Sequence, residues 1–422
     1  MTSHRVPRSD RRPRILFVGH GGLPNGFSRV VESLLNTLAP TYDLHHLIIN
    51  DRSPDRRNTW TAHGNPYLPD LHSTRALQEL LERIEPDVLV LVDEPWVCAR
   101  RLDSIHEEYP QLRTIIYCAV DGDASVTPRV AGSLASASMV VVFTDFARNI
   151  VRKCIADLPQ HRLRIIPHGL DLSTFFPLCG RDPAAFQESR KQARRLLFSQ
   201  IPELEHAFIV LNANRNQPWK GIDACIEGFA RFAKDKPAGV KLYLHMGTRA
   251  ATPGTLPLID QFGIRDRLLY TALSDRHPDV TSERLNLIYN ACDVGLNSSD
   301  KEGWGLISFE HAATGAAQIV PRNSAPAELW QESALMLECE QERSIRGYRR
   351  AGHAVKPESV AQQLEILYAN PKERLRWGEA AYRNATQKQY DWRNIARQWT
   401  CVFADVLAQP PGDLASIKCD GD

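Results

Sequence analysis

The feature that most constrains this chain is an alternation of short apolar segments with amphipathic helical patterns, repeated in two runs. The first run has apolar segments at 14–20, 44–50, 87–94, 114–120, 139–144 and 164–168, and the second at 208–214, 240–247, 267–272, 294–299, 317–321 and 334–338. Helical patterns separate many of them, at 27–38, 74–84, 145–154, 221–233, 282–291 and 306–314. Apolar strands that alternate with helices are typical of a parallel sheet covered on both faces. The pattern therefore predicts an α/β protein with two Rossmann-like, doubly wound parallel-sheet domains.

The predicted domain boundaries follow from changes in composition along the 422 residues. A disordered basic tail at 1–13 precedes a first domain at 14–180, and the best linker candidate is the segment 171–199, which contains Pro177, Gly180 and Pro183. The second domain covers 181–389, including helical patterns at 357–369 and 371–389. A last helix at 390–410 and a flexible tail at 411–422 complete the chain. Each predicted domain is long enough to bury its own core.

Charge and composition exclude some classes of partner. The net charge is +1, so no global field favours nucleic acid. We expect the basic tail to be solvated, and contact with acidic lipid head groups is the alternative. No window approaches the ~20 apolar residues of a membrane span, and no signal-peptide core follows the start. Nine cysteines without a Cys-x-x-Cys pair indicate reduced thiols. We expect a cytoplasmic protein, with peripheral membrane contact left open.

Two carboxylates flank a Gly-Trp-Gly turn near the three-quarter point of the chain. Glu302 and Glu310 are separated by seven residues, and the glycines Gly303 and Gly305 predict a turn before a helix that begins near Leu306. A helix N-terminus offers unpaired N–H groups to a phosphate, and a carboxylate one turn later leans back towards it. The alternative is a solvated loop acid and an ordinary helix residue. We favour a site for a phosphate between two polyols, as in a nucleotide sugar.

A second polar segment follows the first predicted strand of the second domain. It reads Asn-Ala-Asn-Arg-Asn-Gln-Pro-Trp-Lys-Gly at 212–221 and includes Arg215 and Lys220. Arginine offers a bidentate fork and lysine a compact charge, so the pair is suited to a diphosphate. The alternative is a solvated basic loop. The position between a strand and a helix favours the diphosphate.

These segments carry a resemblance to a known family. The spacing of Glu302 and Glu310 resembles the Glu-x7-Glu signature of retaining glycosyltransferases of group 1, which have the GT-B fold, and Arg215 with Lys220-Gly221 is similar to their Arg-x4-Lys-Gly motif. The segment 165–171 resembles the motif that ends their first domain, and 390–392 resembles the aromatic-x-Trp where their last helix crosses back. The resemblance covers about 14–409. It implies two domains facing a cleft, with the acceptor on the first and the nucleotide sugar on the second.

The resemblance also implies roles for individual residues. Arg215 and Lys220 would stabilise the leaving diphosphate, Glu302 would bind the donor sugar and Glu310 the ribose. The other residues implied on the donor side are the turn and helix start Gly303, Trp304, Gly305, Leu306 and Ile307, the base-binding Tyr270 and Thr271, the glycine-rich loop with Gly22 and Gly26, and His168 near the hinge. Tight-turn geometry is the alternative for the two glycines of that loop, and a structural role is the alternative for His168.

One position departs from the family pattern. Many members carry a His after the strand at 114–120, whereas this chain has Asp121. Asp121 could bind an acceptor or donor-sugar hydroxyl as part of the catalytic group, or it could cap the following turn. With Asp123 it formally matches a metal-binding Asp-x-Asp, but it is far in sequence from the other motifs. We therefore predict no metal ion and no cofactor besides the nucleotide-sugar co-substrate.

The sequence thus predicts a retaining, metal-independent glycosyltransferase of the hexosyltransferase type. It would move a sugar from a nucleoside diphosphate to a hydroxyl of a glycan, a lipid-linked saccharide or a small molecule. The glycine-rich loop lacks Gly-x-Gly-x-x-Gly and a P-loop, which argues against dinucleotide or ATP binding. Two alternatives remain: a sugar-nucleotide hydrolase or epimerase on the same fold, and a non-catalytic nucleotide-sugar-binding scaffold subunit. No motif in the sequence identifies the nucleotide base, the transferred sugar or the acceptor.

Overall fold

A computed structural model describes residues 11–23, 25–54, 59–70, 72–248, 255–345 and 348–409. The chain divides into two compact units, one formed by Met1–Gly169 with Asp391–Asp422 and the other by Leu170–Tyr390. The predicted basic tail and the final residues 411–422 lie outside the described residues. Within the described part, no helix has the length and apolar character needed to cross a membrane.

The first unit is built on a seven-stranded sheet in which all neighbouring strands are parallel. Its elements in chain order are β1 (Arg14–Gly19), α1 (Gly26–Leu38), β2 (Asp43–Ile48), β3 (Thr61–Gly64), α2 (Thr74–Ile84), β4 (Val88–Asp93), α3 (Pro95–Asp103), β5 (Arg113–Cys118), α4 (Pro128–Ser136), β6 (Met139–Val142), α5 (Asp145–Cys154) and β7 (Leu163–Ile165). The strand order is β3-β2-β1-β4-β5-β6-β7. Every residue of β4 is buried because helices cover both faces of the sheet.

The second unit repeats this plan with a six-stranded parallel sheet of order β10-β9-β8-β11-β12-β13. Its elements are α6 (Phe186–Leu197), β8 (Phe208–Asn212), α7 (Ile222–Ala233), β9 (Val240–Leu244), α8 (Thr255–Phe262), β10 (Leu268–Tyr270), α9 (Ser282–Ala291), β11 (Val294–Leu296), α10 (Leu306–Ala312), β12 (Ala317–Pro321), α11 (Ser324–Leu329), β13 (Leu335–Leu337), the antiparallel pair β14 (Cys339–Ile345) and β15 (Tyr348–Val355), α12 (Pro357–Ala369) and α13 (Pro371–Ala385). The predicted pair of doubly wound parallel sheets is confirmed.

The last helix, α14 (Trp392–Ala408), belongs to the first unit. Its aromatic side chains pack on β1, with ring centroids of Trp399 and Phe403 at 6.3 Å and 6.4 Å from that of Phe17. The Arg113 guanidinium of β5 donates a hydrogen bond of 2.8 Å to the carbonyl of Gln409 just after the helix. The first unit is therefore made from two separate parts of the chain.

The division between the units differs from the predicted boundary at 180. It follows Gly169, because the segment after that residue is fixed to α9 of the second unit. The Phe176 and Leu178 N–H groups donate to the side-chain carbonyls of Asn286 and Asn290, each at 3.2 Å. These contacts supply hydrogen-bond partners that a free linker would take from water. The first half of the predicted linker is thus an ordered part of the second unit.

Each sheet has a switch point, where successive strands begin to add on the opposite side. In the first sheet it lies between β1 and β4, and in the second between β8 and β11. The loops that leave the carboxyl ends of such strands diverge, and open parallel sheets bind ligands in the resulting crevice. The fold therefore singles out two pairs of loops as candidate ligand sites.

Candidate active site

The loop after β8 is built on three buried asparagines. The Asn212 side chain accepts from the Asn214 N–H at 3.0 Å and donates to Ser298 Oγ at 3.2 Å. Asn216 donates to the carbonyl of Gly247 at 2.9 Å. Side-chain amides of this kind replace backbone partners where a strand ends. Arg215 lies between two of them and is half-buried, and burial lowers the pKa of its guanidinium.

The loop after β8 is bonded directly to the loop after β11. Gly221, at φ +60°, approaches the other loop so closely that a Cβ on it would lie 1.9 Å from the Ser298 carbonyl oxygen. Ser298 Oγ donates to the Lys220 carbonyl at 3.0 Å, and the Asp300 N–H donates to the Trp219 carbonyl at 2.8 Å. Glycine has no Cβ, so it alone can adopt this left-handed conformation and also lie this close to the Ser298 carbonyl. The two predicted motifs therefore form one structural element.

Lys220 and Glu302 form an ion pair at the centre of this element. Lys220 Nζ lies 2.6 Å from Glu302 Oε2, and the two side chains are only 15% and 14% exposed. Ser299 Oγ lies 3.2 Å from the same carboxylate oxygen and 2.7 Å from Asn297 Oδ1. The Glu302 N–H donates to Ser324 Oγ at 3.0 Å. A cation and a carboxylate are thus held at fixed positions beside the switch point of the second sheet.

The Gly-Trp-Gly turn leads into α10 at the predicted residue. Gly303 is buried in the turn, and Gly305 at φ +92° precedes the first helical residue, Leu306, which is followed by Ile307. Trp304 is buried, and its ring stacks on Phe309 with centroids 4.9 Å apart and planes 16° apart. The indole is therefore a packing group that fixes the turn, and the predicted ligand contact of this segment concerns its backbone.

Glu310 lies in the second turn of α10 and is only 1% exposed. Its Oε2 accepts a hydrogen bond of 2.7 Å from the Tyr289 hydroxyl on α9. The Tyr289 ring also stacks on His311, with centroids 5.4 Å apart. Burial lowers the pKa of His311 to about 3, so this ring is neutral at physiological pH. A residue of α9 thus fixes the position of the Glu310 carboxylate, and the sequence analysis did not predict this contact.

The predicted base-binding residues lie further from the ion pair. Tyr270 ends β10, which β9 separates from β8 in the sheet. Burial raises the pKa of Tyr270 to about 12. Thr271 Oγ1 lies 2.7 Å from His245 Nδ1 and 3.1 Å from the Tyr243 hydroxyl. Their contact with a nucleotide base remains a prediction.

Four predicted residues belong to the first unit. Gly22, at φ +64°, donates its N–H to Glu32 Oε1 at 2.7 Å, and Gly26 begins α1. His168 is buried, with Nδ1 2.8 Å from the Tyr117 hydroxyl, and burial lowers the pKa of the ring to about 3. Asp121 is half-buried in the loop after β5. The ligand contacts predicted for these residues remain predictions.

The formal Asp-x-Asp motif is divided between two environments. Asp123 Oδ2 lies 2.5 Å from Lys153 Nζ, so this carboxylate is already compensated by a cation. Across the residues that the structure describes, no three or more His, Cys, Asp or Glu side chains are grouped so that they could hold a metal ion. The Arg-x4-Lys-Gly and Glu-x7-Glu segments instead meet at the ion pair of Lys220 with Glu302.

Sequence reasoning missed several partners in the site. Asn297 and Ser299 follow β11 directly, and their place at a strand's carboxyl end beside the switch point was the available signal. Asn297 Oδ1 accepts from Asn214 Nδ2 at 3.1 Å and from the Ser299 N–H at 3.1 Å. This amide therefore joins the two loops. Tyr289 gave no such signal, because its role depends on how α9 packs against α10.

Solved structures with the same architecture identify the fold. Sucrose-phosphate synthase from Thermosynechococcus elongatus matches with a TM-score of 0.74 and 16% identity, over 94% of this chain and 100% of its own. HepE from Anabaena, solved with UDP and glucose, matches with a TM-score of 0.68 and 14% identity, over 93% of this chain and 99% of its own. This is the GT-B fold of glycosyltransferases.

Sequence comparison agrees with the GT-B assignment. Residues 259–400 match the family described as Glycosyl transferase-like. A D-inositol 3-phosphate glycosyltransferase from Xylanimonas cellulosilytica is 27% identical over 75% of this chain and 70% of its own length. The chain spans only a third to slightly more than half of the length of the other curated relatives that it matches. The predicted resemblance to group 1 glycosyltransferases with the GT-B fold is confirmed.

Proposed function

We propose that this GT-B protein is a retaining, metal-independent glycosyltransferase that moves a sugar from a nucleoside diphosphate to an acceptor hydroxyl. The observation that carries the proposal is the ion pair of Lys220 and Glu302 at the switch point of the second sheet, with Arg215 in the adjoining loop. The loop after β8 thus offers two cations to a diphosphate, and Glu302 offers a carboxylate to a sugar.

Arg215 and Lys220 would stabilise the charge that develops on the leaving diphosphate. Arginine can bind two phosphate oxygens at once, and lysine adds a compact charge. Because both side chains are partly removed from water, their interaction with the developing charge is stronger than in bulk solvent. Groups positioned before the reaction typically contribute ~10²–10³ in kcat each. These cations would take the role that a divalent ion has in other transferases.

Glu302 would accept hydrogen bonds from hydroxyls of the donor sugar, and Glu310 from the ribose. Ser299 keeps the Glu302 carboxylate in place, because its hydroxyl lies 3.2 Å from Glu302 Oε2. Tyr289 restrains Glu310 in the same way, at 2.7 Å. Both carboxylates are thus oriented before a donor arrives, which reduces the entropy cost of binding.

Retention at the anomeric carbon requires that the new bond form on the face that the diphosphate leaves. The acceptor oxygen would bond to the anomeric carbon as the bond from that carbon to the phosphate oxygen breaks. The acceptor proton would pass to the departing phosphate. No protein nucleophile is needed for this route, and the reaction uses no cofactor beyond the nucleotide-sugar co-substrate. Lys220 and Arg215 would support it by stabilising the phosphate as it departs.

The first experiment is a thermal-shift screen of the full chain against nucleoside diphosphates and their sugars. A ligand at 100 times its Kd stabilises the folded state by ~2.7 kcal/mol. Because HepE was solved with UDP and with UDP-glucose, uridine nucleotides are the first to test. Selective stabilisation that Lys220→Ala removes supports the donor site. No stabilisation by any nucleotide would contradict it.

The second experiment separates transfer from the alternatives. A donor labelled in its sugar is incubated with and without candidate acceptors, and the products are analysed by NMR for the configuration at the anomeric carbon. Acceptor-dependent formation of a product with retained configuration supports the proposal. Free sugar formed equally well without acceptor indicates a hydrolase, an isomerised nucleotide sugar indicates an epimerase, and binding without turnover indicates a scaffold subunit.

A further inference from the structure

A cavity at the outer edge of the first sheet includes none of the predicted site residues. It has a volume of about 730 Å³ and lies beside the amino ends of β2 and β3. Because the strands of the sheet are parallel, this end is opposite to the loops that carry Gly22 and Asp121. Sites for small molecules typically have roughly this size, about 300–1,000 Å³. We call it the Trp60 cavity, and its polar lining includes Arg12, Asp43, Thr59, Trp60, His63 and Arg83.

A chain of hydrogen bonds fixes His63 in the wall of the Trp60 cavity. Arg83 Nη2 lies 3.2 Å from His63 Nδ1, and His63 Nε2 lies 3.0 Å from His45 Nδ1. A guanidinium can only donate, so His63 Nδ1 accepts and the proton of this ring is on Nε2. His45 Nδ1 accepts that proton, which directs the His45 Nε2 proton towards Asp43 Oδ1 at 3.5 Å. Both imidazoles are therefore neutral, and their acceptor atoms are already used.

The acids near the Trp60 cavity are compensated by other arginines. Asp43 is the acid among the described residues that line the cavity, and its Oδ2 accepts from Arg14 Nε at 2.9 Å. Asp87, which accepts from the Arg14 N–H, is paired with Arg11 at 3.0 Å. The lining cations outside these pairs are the exposed guanidinium groups of Arg12 and Arg83. The cavity therefore attracts an anion.

Trp60 adds a hydrogen-bond donor to the lining. The residue is only 9% exposed, and its Nε1 has no hydrogen-bond partner among the residues that the structure describes. A buried N–H that makes no hydrogen bond destabilises the folded state. An indole N–H can only donate, so the group that completes it must be an acceptor. Together with the arginines, Trp60 thus favours a ligand that carries both acceptor oxygens and negative charge.

We propose that the Trp60 cavity binds a phosphomonoester. Such a group carries roughly 1.5 to 2 negative charges at pH 7, which two arginines would balance. Arginine binds phosphate oxygens through two N–H groups at once, and the Trp60 N–H would donate to a further oxygen. The rest of the ligand would lie in the remaining volume, against the apolar lining residues Leu44 and Ala62.

This binding site is separate from the proposed donor site. Every residue of the cavity lining belongs to the first unit, whereas Arg215 and Lys220 belong to the second. The inference therefore does not depend on the proposed function. A phosphorylated metabolite and a lipid head group present the same chemistry to the cavity, so the experiments include both sources.

Indole NMR tests the inference at the cavity itself. The chain has eight tryptophans, and Trp60→Phe identifies the Trp60 N–H signal as the one that disappears. The probes are glycerol 3-phosphate and glucose 6-phosphate, with glycerol and glucose as uncharged controls. We expect the Trp60 signal to move saturably with both esters and with neither control. A Trp60 signal that stays unchanged, whether or not other indole signals move, would overturn the inference.

Calorimetric titration with glucose 6-phosphate adds the contribution of the arginines. Arg83→Gln should raise Kd at least about tenfold, a loss of ~1.4 kcal/mol in binding. Arg12→Gln, at an exposed position, should raise it several-fold and serves alone if Arg83→Gln does not fold. The control is Arg129→Gln, which changes an arginine of α4 whose side chain is 88% exposed and should leave Kd unchanged. Binding that Lys220→Ala removes and the Arg12 and Arg83 variants keep would overturn this inference and leave the proposed function intact.

Cosedimentation with vesicles separates the two sources of the phosphate. Phosphatidic acid in phosphatidylcholine vesicles presents a phosphomonoester, and vesicles of phosphatidylcholine alone are the control. Binding to the first that Arg83→Gln abolishes would assign the cavity to a lipid head group. A Trp60 signal that moves with the soluble esters, without vesicle binding, would assign it to a free metabolite. Vesicle binding that survives Arg83→Gln, with no movement of the Trp60 signal, would overturn the inference.

Discussion

Lys220 Nζ and Glu302 Oε2 lie 2.6 Å apart, although 82 residues separate them in the sequence. The contact exists because β8 and β11 are neighbours in the sheet, so the loops that follow them leave the same edge. Each side chain balances the charge of the other. Donor binding would replace this ion pair with contacts from Lys220 to phosphate and from Glu302 to sugar hydroxyls.

Lys220→Ala should lower kcat by about 10²–10³ because it removes one stabilising cation from the transition state. Because the two side chains are only 15% and 14% exposed, the change also leaves a largely buried Glu302 carboxylate without its cation. The midpoint of thermal unfolding should therefore fall, and kcat is measured at a temperature where the variant is folded. The matched control is Lys356→Ala, which removes the exposed lysine 3.4 Å from Glu338 in the same unit. An unchanged kcat in the folded Lys220→Ala variant would refute its assigned role.

Glu310→Ala should weaken the binding of nucleoside diphosphates, and Tyr289→Phe should weaken it less. The second change keeps the carboxylate but removes the hydroxyl that holds it at 2.7 Å. We expect affinity losses in that order from calorimetric titration, with Tyr368→Phe as an aromatic control in the same unit. An unchanged nucleoside diphosphate affinity in Glu310→Ala would exclude this residue from the ribose site.

Gly221→Ala should destabilise the second unit more than Gly263→Ala does. Both glycines have nearly the same left-handed conformation, at φ +60° and +63°. A Cβ on Gly263 meets nothing within 4 Å, whereas one on Gly221 would lie 1.9 Å from the Ser298 carbonyl oxygen. The left-handed conformation alone costs about 1–2 kcal/mol for alanine. Urea unfolding should give this value for Gly263→Ala and a clearly larger one for Gly221→Ala. Equal values would mean that the two loops can separate.

The stability of the first unit should fall as the pH falls below about 6.5. Burial lowers the pKa of His168 to about 3 from an ordinary value of 6.5. Between these values the unfolded chain binds a proton that the folded chain excludes, so acid favours unfolding. The free energy of unfolding should lose up to ~1.4 kcal/mol per pH unit from this residue. His168→Gln should reduce that slope, and His161→Gln, at an exposed position, should not. An unchanged slope in His168→Gln would show that the buried ring titrates normally.

Turnover should survive exhaustive treatment with EDTA, because under the proposed mechanism Arg215 and Lys220 would supply the charge that a divalent ion would otherwise provide. The measurement is the initial rate with chelator, compared with the rate after addition of excess magnesium or manganese. Loss of activity with chelator and recovery with either metal would contradict the proposed mechanism.

Much of the fold could be predicted because buried parallel strands have a strong apolar signal. β12 is observed at the predicted residues Ala317–Pro321, and α2, α5 and α9 also have their predicted bounds. β3 was missed because it is a short edge strand, with only Ala62 buried. The boundary was misplaced because Pro177 and Gly180 indicate a break in regular structure, and that break lies inside the second unit. Local signals do not distinguish an irregular segment that is docked from one that is free.

The candidate site was predictable at the level of motifs and not at the level of contacts. Arg215, Lys220, Glu302 and Glu310 could be selected because glycines and strand ends mark their loops. The direct bond between Lys220 and Glu302 depends on strand order, which no local pattern specifies. The bond from Tyr289 to Glu310 depends on helix packing.

The return of α14 to the first unit has a consequence for biosynthesis. The segment Leu170–Tyr390 is complete as soon as it leaves the ribosome, whereas the first unit must wait for its final helix. Until Trp399 and Phe403 arrive, Phe17 of β1 lacks the two aromatic rings that pack against it. The part of the protein made first would thus finish folding last, and nascent chains halted within α14 would expose an apolar surface for chaperones to bind.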